Sequence, residues 1–409
     1  MPVSDDTSLF TENHSGWRRP EVLLILLAIG MPVSFSTWQA LLNNFAIEQA
    51  GFDGVQIGFL QSFREVPGFL SFTFVFALLI IKEQRLALLS MLLLGIGTSL
   101  TGFFPTFVGL MATTFIMSAG FHYFEALHQS LALQWSTKDQ APVMLGRIVS
   151  ARSFAALVSF ALVWLALEVV GLDLKWVYLM GGGISVAIGL YCWAAFPQFQ
   201  AKAEQSRKIV LRRRYWLWYA LVFMSGARRQ IFVVFAGFLM VQKFGFTAGE
   251  MSLMFLANMA MTIYLAPKIG RLIHRFGERR ALVFEYVGLV LVFTGYAFVT
   301  APWAGVALYI ADHIFFAMAI AIKTYFQKIA SPQDIASSSG VSFTISHMVA
   351  IIIPAAFGFL WVVSSTYVFL AGAAMAALSL VLALMIPRHP TPDNVALVGR
   401  GFAHPAPAE

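Results

Sequence analysis

Charge is scarce in this 409-residue chain. Only 11% of its residues are Asp, Glu, Lys or Arg, against roughly 25% in an ordinary soluble domain, and 59% are hydrophobic. A soluble globular fold is excluded, and the chain reads as an all-α polytopic membrane protein. Cysteine is almost absent. Cys192 stands alone, so no internal disulfide and no cysteine-rich metal centre can form. Histidine offers no metal site either, because His122 and His128 are six apart, a spacing that puts them on different helix faces. Walker-type phosphate loops and GxSxG elbows are missing, as is any appended domain large enough to hydrolyse ATP. Neither an enzyme nor a bound cofactor is expected.

What the chain has in abundance is apolar runs. A span needs about 20 mostly apolar residues, and twelve fit: 22–45, 55–80, 86–104, 106–131, 143–170, 176–196, 215–241, 248–269, 281–300, 302–327, 340–363 and 365–386. The first run is longer than a signal-peptide core and reads as an uncleaved span. Lysine and arginine alternate between loops. Nineteen lie on one side, two (Lys175 and Lys243) on the other, and six inside the spans. The positive-inside rule then places both termini in the cytoplasm. It also accounts for the net charge of +7 without nucleic acid as a partner.

The expected organisation is a cytoplasmic tail (1–21), a six-helix bundle (22–196), a basic cytoplasmic linker (197–214), a second six-helix bundle (215–386) and a cytoplasmic C-terminal tail (387–409). The linker reads as a solvated connector, with anionic-lipid contact as the alternative. The halves repeat weakly. "GFDGVQIGFL" begins at Gly51 and "GFTAGEMSLM" at Gly245, 194 residues apart, and Gly146 pairs with Gly340 at the same offset. Two anchors with one offset indicate a duplicated six-span unit.

The loop "GRLIHRFGERR", Gly270 to Arg280, carries a glycine, an arginine, a second glycine and two basic residues. With twelve spans in two repeats, the chain resembles the major facilitator superfamily (MFS) of secondary transporters over nearly its whole length. Gly270, Arg275, Gly277, Arg279 and Arg280 match the family's loop signature, and His274 stands where the family has aspartate. The first-half counterpart, "FALLIIKEQR" (76–85), has lost both glycines and the acid-arginine pair. The resemblance implies two pseudo-symmetric bundles, alternating access around a cavity between them, and a cytoplasmic gate at this loop. It also implies residence in the plasma membrane, the inner membrane if the source is bacterial. A monomer is expected.

Six cations lie inside the spans: Arg64, Arg147, Arg152, Arg228, Arg229 and Lys323. Facing lipid, all six would cost on the order of 15–20 kcal/mol, so they must face protein, water or the bilayer edge. Glu65, Glu125, Glu285 and Asp312 are the acids available to them. Arg64 and Glu65 are neighbours, about 100° apart on a helix. That spacing argues for partners on other spans, with a structural bridge and a substrate role both open. Arg228 and Arg229 cannot point the same way, and one facing a cavity would offer a fork suited to carboxylate or phosphate. Pairing with Asp312 or Glu65 is the competing reading. Arg152 and His347 stand 195 apart and read as a pseudo-symmetric pair. Asp312 and Lys323 are eleven apart on the tenth span, three turns, and are expected to share a face. Arg147 lies nearer the loop and is expected to snorkel, a reading open to Lys323 as well.

The substrate-binding candidates are therefore Arg64, Arg152, Arg228, Arg229 and His347. For proton coupling they are Glu65, His122, Glu125, Asp312 and His313. A carboxyl kept from water binds its proton more tightly and histidine titrates near neutrality, which favours Glu125 with His122. Structural hydrogen bonding of that pair is the plainer alternative. The expected function is proton-coupled transport of a small organic anion or polar solute. Two rivals stay open: a proton-driven exporter of lipophilic cations, and a transporter-shaped sensor or assembly partner that moves nothing.

Overall fold

The computed structural model describes residues 17–136, 141–199, 212–330 and 335–398. Most of the linker, including Lys202, Arg207 and Lys208, lies outside the described residues, as do Lys138 and Arg400. Almost everything described is helical. In chain order the helices are α1 (Pro20–Asn44), α2 (Gly54–Phe69), α3 (Phe74–Ala77), α4 (Glu83–Thr101), α5 (Phe107–Trp135), α6 (Ala141–Trp164), α7 (Leu174–Ala195) and α8 (Trp216–Gln230). They continue with α9 (Gly237–Phe244), α10 (Ala248–Phe276), α11 (Glu278–Phe298), α12 (Pro302–Ala317), α13 (Ile320–Ile329), α14 (Ile335–Val363) and α15 (Ser365–Leu384). Each expected span coincides with one or two of these, and most ends agree within a few residues.

Among the described residues ten helices are long and apolar enough to cross a membrane, and an eleventh qualifies if α10 is taken whole across its 49° bend. The bend falls between Leu265 and Lys268. The run expected at 55–80 is the remaining one. It is divided, because α2 passes into a 3₁₀ turn at Leu70–Thr73 before the short α3. Pro67, inside α2, breaks the hydrogen-bond ladder just ahead of that turn. The expected tenth span is also interrupted. Met318 and Ala319 form a turn between α12 and α13.

Two compact units emerge. The first comprises Met1–Gly51, Arg64–Gln205 and Thr247–Met259, and the second Phe52–Phe63, Ser206–Phe246 and Ala260–Glu409. The opening turns of α2 thus belong to the second unit and those of α10 to the first. These exchanged segments start 195 residues apart, one residue from the sequence repeat. The repeat also appears in backbone conformation. Gly51 and Gly245 adopt left-handed φ angles of 67° and 70°, which residues with a Cβ rarely accept, so the same tight turn precedes α2 and α10.

Close helix packing inside each unit depends on small residues, as is common where helices associate in lipid. In the first unit α4 meets α5 and α7. A Cβ on Gly97 would lie 2.4 Å from the Met117 nitrogen, and one on Gly182 would lie 2.3 Å from the Gly95 oxygen. In the second unit the start of α2 lies against α14. A Cβ on Gly58 would come 2.3 Å from the Pro354 oxygen, and one on Gly358 would come 2.6 Å from the Gly54 oxygen. Proline leaves the α14 ladder incomplete at this point. The Ala355 N–H donates instead to Ser62 Oγ, at 2.9 Å. Nearby, Trp361 donates its indole N–H to Gln242 on α9, at 2.8 Å.

Candidate functional site

The second unit holds the most deeply buried charges. α8 gives way after Gln230 to a π-helical stretch, Ile231–Ala236, one of the wide turns that often accompany functional residues. The arginine pair lies just before it. Because successive helical residues point about 100° apart, Arg228 turns inward and is fully buried while Arg229 is exposed. The Arg228 guanidinium lies 4.3 Å from the Tyr286 ring centre, and its Nε donates to the Met224 carbonyl at 3.2 Å. Glu285 on α11 approaches it at 3.9 Å, an ion pair too long for a good hydrogen bond. Asp312 on α12, also fully buried, lies within electrostatic reach of both Arg228 and Glu285. The sequence had shown Glu285 only as an available acid with no assigned role. The structure makes it the partner of Arg228.

A shorter-range network occupies the first unit. The Arg64 side chain turns back along α2 and forms a direct ion pair with Glu65. The expectation that adjacent residues must seek separate partners is therefore corrected. A long, flexible arginine stem spans the 100° between them, which backbone geometry alone does not reveal. Arg64 also lies over the Trp38 ring of α1, 5.8 Å from its centre, and its carbonyl accepts the hydroxyl of Ser118 on α5. His122, one turn along α5, stands 4.0 Å from Glu65. Beside these groups the Phe35 and Phe121 rings stack at 4.5 Å.

Glu125 makes its contact on α6. It accepts from Arg152 of α6 at 2.7 Å, while a second nitrogen of the same guanidinium lies 3.1 Å from His128 Nδ1. The opposite ring nitrogen of His128 meets the Leu24 carbonyl at 2.9 Å. With Nδ1 accepting from arginine, Nε2 carries the hydrogen and donates to Leu24. His128 thus fixes Arg152, a role that no sequence spacing signalled. Of the expected Glu125 and His122 pair, Glu125 is engaged by Arg152, and His122 stands 4.0 Å from Glu65.

The remaining candidates are dispersed. His313 does not join Asp312, its chain neighbour; its ring meets the Thr262 hydroxyl at 2.8 Å. Lys323 does not share a face with Asp312 either. The turn at Met318–Ala319 resets the helix phase, leaving Lys323 exposed and Asp312 buried. His347 is buried on α14 in the second unit, its ring 4.3 Å from that of Phe343. Arg147 pairs with Glu21 near the start of α1, in keeping with a loop-proximal position.

The loop signature lies where α10 hands over to α11. Gly270, His274 and Arg275 are exposed on the last turns of α10, and Arg279 and Arg280 open α11. Gly277 joins the helices with φ 81°, a conformation suited to glycine. The residue that anchors this corner was overlooked. Glu278 is buried and accepts from Lys328 at the end of α13, at 2.8 Å.

The model of the Major Facilitator Superfamily matches residues 22–354 of the sequence. The chain belongs to this superfamily. Solved structures agree in fold: a point mutant of the nucleoside transporter NupG has a TM-score of 0.75 at 14% identity, covering 90% of this chain and 99% of its own. A bacterial homologue of the human lysosomal transporter Spinster, inward-facing and occupied, has a TM-score of 0.70 at 11% identity, with coverages of 91% and 97%. At such identities the likeness is one of fold alone. No curated protein matches the sequence. This MFS protein is an integral membrane transporter rather than an enzyme.

Proposed function

We propose that this MFS transporter carries a small, neutral, polar solute and is driven by the proton gradient across a cytoplasmic membrane. The observation that carries the reading is the pairing of interior charge. Arg64, Arg147, Arg152 and Arg228 each have a carboxylate partner within their own unit. A surplus of six intramembrane cations over four acids would favour an organic anion, but four of the six are committed to carboxylates and the other two, Arg229 and Lys323, are exposed. Engagement by Arg152 likewise commits Glu125, the carboxylate on which the reading as a lipophilic-cation exporter rests.

The solute-binding residues are assigned to α1 and the network beside it. Ser34 Oγ and Trp38 Nε1 lie one turn apart, are buried, and have no hydrogen-bond partner among the described residues. A buried donor without an acceptor is costly, and a polar solute would supply the acceptor. Arg64, Glu65, Ser118 and His122 provide further polar groups, and Phe35 and Phe121 an aromatic wall. Such a surface suits a planar solute with hydrogen-bonding edges. Nucleosides, the cargo named for one structural neighbour, are the first probes to try.

Binding alone tests this assignment. Purified protein is melted with uridine or adenosine, with benzoate or citrate, and with tetraphenylphosphonium. A ligand at 100 times its Kd stabilises by about 2.7 kcal/mol, a shift easily measured. Stabilisation by a neutral solute, lost in Trp38→Phe, is expected. Stabilisation by the anions alone would return the assignment to a cationic site, and by the phosphonium alone to a drug exporter.

A further inference from the structure

The buried charges of the second unit do not balance. Arg228 contributes one positive charge, Glu285 and Asp312 two negative ones if both are ionised, and all three side chains are fully shielded from solvent. Nor are their hydrogen bonds complete. Both carboxylate oxygens of Glu285, both of Asp312, and Nη1 and Nη2 of Arg228 have no hydrogen-bond partner among the described residues. Buried charges persist when they are paired and hydrogen-bonded, and a group left without a partner calls for water, an ion or a proton.

Among the described residues the elements packed against the cluster add no second buried cation: α13 carries Lys323, which is exposed, α14 carries His347, whose ring meets Phe343, and α15 has no charged residue. α8 supplies Arg228, whereas its neighbour Arg229 is exposed. α11 supplies Glu285 with Tyr286 and Tyr296, and α12 supplies Asp312 with Tyr309; Asp312 acts electrostatically on both Tyr296 and Tyr309. His313 points to Thr262. Tyrosine is neutral near physiological pH, so the cluster keeps one negative charge in excess.

We infer that Glu285 and Asp312 share one exchangeable proton beside Arg228, and that this site is where transport is coupled to the proton gradient. The second clause rests on the proton-driven reading above; the first does not. With the proton bound, the cluster is neutral and tolerates complete burial. With it released, one carboxylate is unpaired, and the packing of α8, α11 and α12 must open to water. That difference makes proton occupancy and conformation interdependent. Glu125, paired with Arg152 and part exposed, is left as a structural partner.

The test uses full-length protein in lipid and infrared difference spectroscopy between mildly acidic and mildly alkaline buffers. The wild type is expected to show a protonated-carboxyl C=O band. Glu285→Gln and Asp312→Asn each leave one arginine and one carboxylate, a neutral pair that needs no proton. The band is therefore expected to vanish in both variants, and either one suffices if the other fails to fold. Persistence of the band in a folded variant would place the proton elsewhere. Absence of the band in the wild type, with sodium-dependent melting, would make the cluster a monovalent-cation site. Uridine-dependent proton entry into vesicles separates the two readings. If it survives unchanged in both variants, the site assignment fails and proton drive stands. If the band behaves as expected while no probe moves protons, the shared proton stands and its coupling role falls.

Discussion

Replacing Arg228 by alanine is expected to destabilise the transporter by about 3–5 kcal/mol, the usual cost of removing one partner from a buried ion pair. Two fully buried carboxylates, Glu285 and Asp312, would lose their cation. That cost is a large part of the roughly 5–15 kcal/mol by which proteins are stable, so the variant should express poorly and melt broadly. The diagnostic comparison is Arg228→Met combined with Glu285→Met and Asp312→Leu. Replacing a whole buried charge cluster by hydrophobic residues of similar volume is often close to neutral in stability, so the triple variant should recover most of the loss while transport is absent. A single Arg228→Ala variant that melted like wild type would show that the arginine is not what compensates the acids.

Gly58→Leu should have the second-largest effect. A Cβ at this position falls 2.3 Å from the Pro354 backbone oxygen and 3.1 Å from the Gly358 Cα. Neither is the yielding tip of a side chain, so α2 and α14 must move apart, and the Ser62 contact to the Ala355 nitrogen is lost with them. Overpacking of this kind costs about 1–3 kcal/mol, and more where backbone must shift. Melting should fall in the order wild type, Gly58→Ala, Gly58→Leu. Equal melting of all three would mean that close approach at this point is dispensable.

Much of the architecture was readable from the chain because apolar runs and turn glycines are local signals. The shared offset of Gly51 and Gly245 is legible in the sequence, whereas their left-handed φ angles belong to the structure. The opposed directions of Arg228 and Arg229 followed from helix geometry, although which one turned inward did not. The divided second span is signalled by Pro67, a local break that a sequence displays directly. Networks were much less legible. Arg152 meets Glu125 and His128 from 27 and 24 residues away, and Lys328 meets Glu278 from 50. No periodicity reports such tertiary distances. The Arg64 and Glu65 pair failed for the opposite reason: backbone phase was applied to a side chain long enough to ignore it.

Solute-coupled proton movement in proteoliposomes tests the central claim most directly. The purified transporter is reconstituted with a pH-sensitive dye inside, and uridine, adenosine, benzoate or citrate is added outside under an imposed proton gradient. A neutral polar solute should accelerate proton flux in wild-type vesicles and leave empty vesicles unaffected, and labelled solute should accumulate only while the gradient lasts. Solute equilibration without proton movement, or proton flux evoked by the organic anions alone, would contradict the account.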